Sequence, residues 1–283
     1  MTSNIPHEFE SWSQLGGKIV MVTGASSGLG FEFCVDLAKA GCKIIAVARR
    51  IDRLNTLCDQ INKMDVPIGG PHRAIAVELD VTAGEPLIVE CMEKAWDAFG
   101  CIDVLINNAG VNGPKRMSLE LSEKERENVV KTNLKGAWLL SKNVGARMRD
   151  GGRGGSIINI SSVFGLHRAQ FRGSVAYSSS KAGLDSMTKV MALELGEYNI
   201  RVNSIAPGLF RAEMTENIYR ESSKVLKSVV EKTVPLASLG RVNPALTSLI
   251  RYLIHDSSSY VSGNVFIVDS GGTLPAFSIF SSL

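Results

Sequence analysis

The 283-residue chain lacks the features that mark membrane-spanning, secreted and nucleic-acid-binding proteins. No apolar stretch approaches the roughly 18 residues that a membrane-spanning helix needs. The N-terminal sequence MTSNIPHEFESWSQ has neither the basic nor the apolar region of a secretory signal. A net charge of +3 is too small and too dispersed to indicate a nucleic-acid binder. We therefore expect neither a membrane span nor a nucleic-acid partner.

Cysteine and histidine are too few and too scattered for a zinc site. The chain has 4 histidines and 5 cysteines, and no two cysteines form a C-x-x-C pair. An odd number of cysteines also argues against a disulfide framework, which favours a reducing compartment. We predict no metal and interpret the cysteines as small core residues. They are Cys34, Cys42, Cys58, Cys91 and Cys101.

Short apolar runs rich in isoleucine and valine alternate with longer segments of helical periodicity. Such runs are typical of strands that are buried on both faces of a sheet. A β-α-β-α series predicts a parallel sheet with helices on both sides, that is, a single doubly wound α/β domain. The predicted strands are 19–22, 44–47, 74–77, 104–106, 157–160, 202–205 and 265–268, and the predicted helices include 84–99, 122–148, 175–196 and 243–254.

A glycine-rich segment, TGASSGLG, follows the first predicted strand. Its glycines would let backbone amides approach a pyrophosphate, and the next helix would present its N-terminus to the anion. A plain strand-to-helix turn is the alternative, but the position at the first strand-helix junction favours a dinucleotide site. The candidate residues are Gly24, Ser26, Ser27, Gly28, Leu29 and Gly30.

The second strand ends in Ala48-Arg49-Arg50 and lacks the acidic residue by which NAD-preferring sites bind the ribose 2′-hydroxyl. Arg49 can instead form a bidentate pair with a 2′-phosphate. Arg50 either assists it or is only solvated. The alternative is two exposed basic residues at a helix start. We favour the phosphate interpretation, which predicts NADP(H) as the cofactor.

The third and fourth predicted strands end in residues that suit a cofactor crevice. Asp80 and Val81 are both candidate cofactor-binding residues, and Asp80 could contact the adenine amino group or cap the next helix. Asn107, Ala109 and Gly110 lie in the segment NNAG, where small residues would let the backbone pass close to the cofactor. The alternative for NNAG is an ordinary turn, because Asn and Gly are turn formers.

Tyr177 and Lys181 stand four residues apart within a predicted helix. Residues i and i+4 share a helix face, so the hydroxyl and the ammonium can address one substrate. Of the 5 tyrosines, Tyr177 alone has a lysine four residues on. Together with the glycine turn, this pair indicates a hydride-transfer enzyme.

The chain resembles the short-chain dehydrogenase/reductase family in six motifs that occur in the family's order. The resemblance covers about 17–272, and the C-terminal part is similar to the 3-oxoacyl-carrier-protein-reductase-like branch. It implies one Rossmann-type domain at 16–272, with an N-terminal arm at 1–15 and a C-terminal tail at 273–283. The motifs are TGASSGLG, NNAG, Asn133, the SSV of 161–163, the YSSSK of 177–181 and the Pro207-Gly208 pair.

The resemblance also implies a role for each matched residue. Tyr177 would exchange a proton with the carbonyl oxygen, and Lys181 would lower the pKa of that phenol and hold the nicotinamide ribose. Ser162 would hydrogen-bond the substrate oxygen and so polarise it. Asn133 would support a water-linked proton path through Lys181. The Pro207-Gly208 pair would contact the cofactor.

The chain departs from the family pattern at two places. Ala212 stands where a Thr or Ser often binds the nicotinamide carboxamide, so another group, such as Thr215, must serve instead, or cofactor binding is weaker. The interval from Ser162 to Tyr177 is slightly long and basic. Its cations could meet an anionic substrate such as a CoA thioester, or they belong to a solvated loop. They are His167, Arg168 and Arg172.

The implied function is NADPH-dependent reduction of a carbonyl by hydride transfer, with a 3-oxoacyl thioester, a ketone or an aldehyde as the small-molecule substrate. Two alternatives stay open. One is a subunit of a peroxisomal aromatic acyl-CoA reductase of the benzaldehyde synthase type, which plant members of the family provide. The other is a catalytically weak partner subunit of a related chain.

Assembly and location are expected from the family and from the C-terminus. Members commonly pair through two long helices, here 122–148 and 175–196, which predicts a homodimer, a homotetramer or a heteromer with a related chain. The ending Ser281-Ser282-Leu283 is similar to the S-K-L peroxisomal address but lacks the central lysine. We expect a peroxisomal protein if this tail is an address, and a cytoplasmic one otherwise.

Overall fold

Seven strands form one sheet in the computed structural model, which describes residues 15–65, 72–166, 171–210, 234–236 and 240–274. The strands are β1 Ile19–Thr23, β2 Lys43–Ala48, β3 Ala74–Glu78, β4 Val104–Asn107, β5 Gly155–Ile160, β6 Ile200–Pro207 and β7 Val265–Val268. Their order is β3-β2-β1-β4-β5-β6-β7, and every neighbouring pair is parallel. The predicted doubly wound sheet and all seven predicted strands are therefore confirmed.

Helices connect the strands. They are α1 Gly28–Lys39, α2 Ile51–Asn62, α3 Glu85–Phe99, α4 Glu123–Val130, α5 Gly136–Asp150, α6 Val175–Leu195, α7 Val242–Ala245 and α8 Thr247–Ile254. The predicted helix 122–148 is divided, because a π-helical segment at Lys131–Lys135 separates α4 from α5. The predicted helix 243–254 is also divided, because Leu246 separates α7 from α8. Within α7, Asn243 has a non-helical backbone (φ −101°, ψ 125°), as expected for a residue that precedes a proline.

The sheet is covered on both faces from β1 to β6, because alternate residues of these strands enter two separate cores. Val20 and Val22 of β1 pack in a core with residues of α1, α2 and α8. Met21, between them, packs in a second core with residues of α3, α5 and α6. The five cysteines are free and buried, which confirms that they are core residues. Within the described ranges, no helix is long and apolar enough to cross a membrane.

The sheet order places a crevice at the carboxyl ends of β1 and β4. These strands are neighbours, and the chain leaves them in opposite directions across the sheet. In open α/β sheets, ligands bind at such a topological switch point. The glycine turn follows β1 and the NNAG segment follows β4, so both predicted cofactor motifs lie at this crevice. Residues 1–14 and 275–283 lie outside the described residues, and the predicted domain boundaries stay a prediction.

Candidate active site

The glycine turn packs so tightly on the NNAG segment that two of its positions exclude a side chain. Gly24 has a φ of +68°, and a Cβ there would lie 2.9 Å from the Ala109 Cα. A Cβ at Gly30 would lie 2.5 Å from both the Asn108 Nδ2 and the Gly24 carbonyl oxygen. Gly28, with a φ of +57°, begins α1 in the left-handed region that favours glycine. The sequence therefore brings the backbone of the turn and the N-terminus of α1 close to the crevice.

Two residues that the sequence analysis did not assign hold this turn in place. The Thr23 hydroxyl accepts hydrogen bonds from the backbone N–H groups of Asn108 and Ala109, both at 3.0 Å. The Asn108 amide nitrogen donates to the Thr23 carbonyl oxygen at 2.9 Å. Thr23 and Asn108 are therefore positioning residues. Thr23 lies in the TGASSGLG motif and Asn108 in the NNAG motif, so the sequence could have indicated them only through these motifs.

Arg50, not Arg49, contacts the glycine turn. The Arg50 guanidinium donates from Nε to the Ser26 hydroxyl at 3.1 Å and from NH2 to the Ser27 hydroxyl at 2.7 Å. Arg49 has a side chain that is 70% exposed, and its NH1 lies 3.8 Å from the Asp80 Oδ2. An exposed pair at this separation contributes little to stability. Arg49 thus presents a guanidinium at the end of β2, while Arg50 connects that strand end to the turn.

Asp80 does not cap the next helix, because Gly84 occupies the N-cap position of α3. Its Oδ1 accepts hydrogen bonds from the Thr82 backbone N–H at 2.9 Å and the Thr82 hydroxyl at 2.8 Å. This is a local side-chain turn of the kind that Asp forms with the residue two positions on. The helix-capping alternative is therefore wrong, and contact with adenine stays a prediction.

The side chains of Val81 and Asn107 are buried next to the crevice. Val81 is buried against the start of α5, where a Cβ at Gly136 would lie 2.6 Å from the Val81 carbonyl oxygen. The Asn107 side chain points into the core, and its Nδ2 donates to the Ser141 hydroxyl and the Asn159 Oδ1, both at 2.8 Å. Any cofactor contact from Asn107 would have to use its backbone, as the close-approach argument for NNAG proposed.

The π-helical segment positions the Asn133 side chain to hydrogen-bond both Val111 and Ser180. Asn133 is 1% exposed; its Oδ1 accepts from the Val111 N–H at 2.8 Å, and its Nδ2 donates to the Val111 carbonyl oxygen at 2.9 Å and the Ser180 hydroxyl at 3.0 Å. The side chain thus links the segment after NNAG to α6. Single π turns often mark functional sites. A Cβ at Gly110 would lie 3.3 Å from the Asn133 Oδ1 and 3.5 Å from the Lys181 Nζ, so these groups adjoin.

Lys181 is a buried cation. Its side chain is almost completely enclosed, and Nζ donates to the Ile160 carbonyl oxygen at 2.7 Å. Burial lowers the pKa of Lys181 from 10.5 to about 8, because the charged form loses its hydration, and the charge of Asp185 opposes this. The Nζ lies 5.8 Å from the centroid of the Tyr177 ring. The predicted pair therefore shares one site.

Tyr177 adjoins Ser162, and its surroundings keep it protonated. Burial raises the pKa of the Tyr177 phenol, and a hydrogen bond with Ser162 opposes that rise. This direction is opposite to the lowering by Lys181 that the family resemblance implied, because burial of the phenol outweighs the other influences on it. Phe164 packs edge-on against Tyr177, with ring centroids 6.3 Å apart, and Phe171 packs on Phe164 at 4.7 Å. The Lys115 Nζ lies 5.8 Å from the Phe171 ring centroid. The arrangement supplies a proton donor, a hydroxyl beside it, and an aromatic wall on one side.

The Pro207-Gly208 pair ends β6 beside β7. Gly208 donates its N–H to the Val268 carbonyl oxygen at 2.9 Å, and a Cβ there would lie 2.7 Å from the Asp269 Cβ. Arg172 is exposed. His167, Arg168, Ala212 and Thr215 lie outside the described residues, so their predicted roles stay predictions.

Comparison with known proteins identifies the family to which the chain belongs. Residues 18–223 match the short chain dehydrogenase family. The chain belongs to that family. It is 34% identical over 258 residues to a 3-oxoacyl-[acyl-carrier-protein] reductase of Thermotoga maritima, covering 91% of this chain and 98% of that one.

Solved structures agree with this membership in the short-chain dehydrogenases. A short-chain type dehydrogenase/reductase from Mycobacterium marinum is 31% identical, with a TM-score of 0.83 over 93% of this chain and 98% of that one. A protein assigned as an NAD(P)-dependent gluconate 5-dehydrogenase from Beutenbergia cavernae, with NADP bound at low occupancy, is 28% identical. Its TM-score is 0.81 over 92% of this chain and 98% of that one. The protein is therefore an oxidoreductase of the short-chain dehydrogenase family.

Proposed function

We propose that the protein is an NADPH-dependent carbonyl reductase in which Tyr177 donates the proton. The observation that carries this proposal is the meeting of Tyr177, Ser162, Lys181 and Asn133 beside Gly110, at the carboxyl ends of β4 and β5. NADPH, when bound, supplies the hydride that the carbonyl carbon accepts. The carbonyl oxygen takes the proton of the Tyr177 hydroxyl, Ser162 hydrogen-bonds that oxygen, and Lys181 stabilises the phenolate that remains.

A dinucleotide fits the crevice for reasons found in the chain itself. Gly24 and Gly30 stand where a Cβ would collide with backbone. Because both are glycines, the turn can pack closely on the NNAG segment, and its backbone amides can approach a pyrophosphate. The cofactor's 2′-phosphate would meet Arg49, which is exposed at the end of β2, and the Arg50 guanidinium on Ser26 and Ser27. Two guanidiniums and no carboxylate directly after β2 favour NADPH over NADH.

Cofactor choice is tested by changing the end of β2. The double variant Ala48→Asp with Arg49→Leu places an acid where a ribose 2′-hydroxyl would lie, and should invert the preference from NADPH to NADH. Arg149→Leu removes the same charge from a surface pair with Asp150 and should change neither affinity. Fluorescence titration of each variant with NADPH and NADH measures the preference. A wild-type protein that prefers NADH would reject this interpretation of Arg49.

The chemistry is tested at Tyr177. Tyr177→Phe removes only the hydroxyl, so NADPH binding should stay nearly intact while turnover falls by several orders of magnitude. Tyr260→Phe is the matched control, because Tyr260 is fully exposed. Lys181→Ala should impair both binding and turnover, since Lys181 serves both. Near-normal turnover in Tyr177→Phe would mean that the proton comes from elsewhere.

The substrate we propose is a 3-oxoacyl thioester, from the similarity to the carrier-protein reductase of Thermotoga maritima. A second candidate, an aromatic carbonyl or aromatic acyl-CoA, is favoured by one observation: the edge-packed rings of Phe164 and Phe171 next to Tyr177. Aromatic pairs prefer this edge-on geometry, so the ring of an aromatic substrate could pack against Phe164 or Phe171 in the same way. Lys115 above Phe171 would suit a substrate with an anionic group.

One substrate screen separates these candidates. The purified protein is assayed by NADPH oxidation with aliphatic 3-oxoacyl thioesters, aromatic aldehydes and aromatic acyl-CoA, alone and with cell extract. Activity on the aliphatic thioesters supports the first candidate, and activity confined to aromatic compounds supports the second. For the second, Phe171→Leu should raise KM for aromatic substrates only. Activity that requires the extract would favour the catalytically weak partner subunit.

We also propose that the chain self-associates or pairs with a related chain through α6. Two apolar residues of this helix, Leu184 and Met191, turn inward and are buried in the chain's own core. Val190 and Leu193 remain on the outer face, 50% and 84% exposed. Exposed apolar side chains on one helix face suit a helix-to-helix contact.

A further inference from the structure

Ser180 is a buried serine of α6 whose hydroxyl joins two residues of the candidate active site. The hydroxyl donates to the Tyr177 carbonyl oxygen at 2.7 Å and accepts a hydrogen bond from the Asn133 Nδ2 at 3.0 Å. Ser180 and Asn133 are each 1% exposed. One hydroxyl therefore connects the π-helical segment to the turn of α6 that carries Tyr177, and no step of the proposed reaction uses it.

The bond from Ser180 to Tyr177 would carry no meaning alone, because serines in helices commonly donate to a carbonyl of the preceding turn. The neighbouring Ser179 does the same, since its hydroxyl donates to the Ala176 carbonyl oxygen at 3.2 Å. Ser179 is exposed, whereas Ser180 is buried and also accepts a hydrogen bond from a different element. The second bond is the feature that distinguishes Ser180 and that calls for an explanation.

The hydrogen atoms in this contact fix the orientation of the Asn133 side chain. The single hydroxyl hydrogen of Ser180 goes to Tyr177, so the Ser180 oxygen can only accept from Asn133. Asn133 must therefore direct its NH2 group, and not its Oδ1, at Ser180. In this orientation the Nδ2 also donates to the Val111 carbonyl oxygen at 2.9 Å, and the Oδ1 accepts from the Val111 N–H at 2.8 Å. If the amide were rotated by 180°, it would face a like group at all three contacts.

The orientation of Asn133 matters for the surroundings of Lys181. A Cβ at Gly110 would lie 3.3 Å from the Asn133 Oδ1 and 3.5 Å from the Lys181 Nζ, so the amide oxygen and the ammonium adjoin the same point. A carbonyl dipole that presents its oxygen near an ammonium stabilises the charge, whereas an NH2 group in its place opposes it. A rotated Asn133 would therefore weaken the site next to Lys181 and would also release Val111.

We propose that Ser180 is a positioning residue whose hydroxyl fixes the orientation of the Asn133 side chain and holds the π-helical segment against the turn of α6 that carries Tyr177. The proposal rests on the proposed function in assigning Asn133 and Tyr177 to the reaction. Ser180 touches neither the carbonyl nor the cofactor and acts through Asn133. Without the hydroxyl, one N–H of the buried Asn133 amide would lose its acceptor, which is costly in a protein interior.

The test compares Ser180→Ala with the matched variant Ser179→Ala. Each variant removes a hydroxyl that bonds the carbonyl three residues earlier, and both should remain folded because alanine is the best helix former. Only Ser180→Ala also removes the acceptor of Asn133. It should lower kcat about tenfold while NADPH affinity stays within about twofold, because the glycine turn and the end of β2 are unchanged. Ser179→Ala should change neither quantity.

The full-length variants are measured for kcat, for NADPH affinity by fluorescence and for thermal unfolding. Equal kcat in Ser180→Ala and Ser179→Ala would overturn the proposal. A loss of NADPH affinity as large as the loss of kcat would also overturn it, since a general disturbance of the fold affects both.

A double-variant cycle tests whether Ser180 acts through Asn133. If it does, Asn133→Ala should lower kcat at least as much as Ser180→Ala, and combining the two should cost little more than Asn133→Ala alone. Losses in kcat that simply multiply would overturn the proposal. The same cycle is measured in the free energy of unfolding, which needs no substrate. Non-additive unfolding in a protein that reduces no carbonyl would keep the link between Ser180 and Asn133 and reject the proposed function instead.

Discussion

Replacing Gly30 by alanine probes the contact that shapes the cofactor crevice. A methyl group at this position would lie 2.5 Å from the Gly24 carbonyl oxygen and 2.5 Å from the Asn108 Nδ2. Real Cβ atoms do not tolerate such distances from a backbone oxygen, so the glycine turn and the NNAG segment would have to separate. Asn108 would then lose its bond to the Thr23 carbonyl oxygen, which is 2.9 Å long in the native turn.

The magnitude follows from two opposing terms. Alanine in place of glycine within α1 would gain roughly 0.5–1 kcal/mol of helix stability if nothing collided. Overpacking a well-packed contact costs about 1–3 kcal/mol. The cost exceeds the gain, and it falls on the turn that would bind the pyrophosphate. A net cost of about 1 kcal/mol at this turn corresponds to a roughly fivefold loss of NADPH affinity, since about 1.4 kcal/mol is a factor of ten.

The matched control is Gly145→Ala in α5. A methyl group there would lie 3.6 Å from the Leu195 Cδ1 and 4.0 Å from the Ile157 Cδ1, which are ordinary contacts. This variant should bind NADPH like the wild type and be equally stable or slightly more stable. Fluorescence titration and thermal unfolding are measured for both variants. If Gly30→Ala behaves like Gly145→Ala in both assays, the close approach of the turn to NNAG does not govern cofactor binding.

Three further predictions concern stability, assembly and location. Arg251→Met should cost about 3–5 kcal/mol in unfolding free energy, because Arg251 forms a bidentate pair with the buried Asp36 at 2.7 and 2.8 Å; adding Asp36→Leu should restore most of it, and chemical denaturation checks both. Leu193→Lys should shift the protein toward monomer in light scattering if α6 is the contact, and a wild-type monomer at micromolar concentration would reject the contact. A fluorescent protein that ends in residues 274–283 should collect in peroxisomes, whereas diffuse fluorescence would count against the address.

The strands of the sheet could be predicted from the sequence because each strand has a recognisable run of apolar residues. β1 and β2 are buried on both faces, so their continuous Ile and Val runs are visible without any partner. The division of the helix at 122–148 was not visible, since the apolar periodicity continues through the π-helical segment that holds Asn133. That segment is associated with tertiary contacts, the hydrogen bonds from Asn133 to Val111 and Ser180. Such contacts leave no local pattern in the sequence.

The direction of a polar side chain was the hardest feature to predict in the site. Asn107 and Asn108 are adjacent and chemically identical, yet one enters the core and the other ties down the glycine turn. The alternation of strand residues decides between them: Asn107 is the last residue of β4, and its side chain falls on a buried face. Likewise Arg50 contacts Ser26 and Ser27 because β1 and β2 are paired in register, which brings their ends together.

The two central side chains have pKa shifts in opposite directions, and both shifts suit reduction. Burial raises the pKa of the Tyr177 phenol, so the hydroxyl keeps the proton that a carbonyl oxygen needs. Burial lowers the pKa of Lys181 to about 8, so its charge is present at neutral pH and lost as the pH rises through that value. A protonated phenol beside a charged ammonium suits proton donation at neutral pH, which agrees with the carbonyl reduction that we propose.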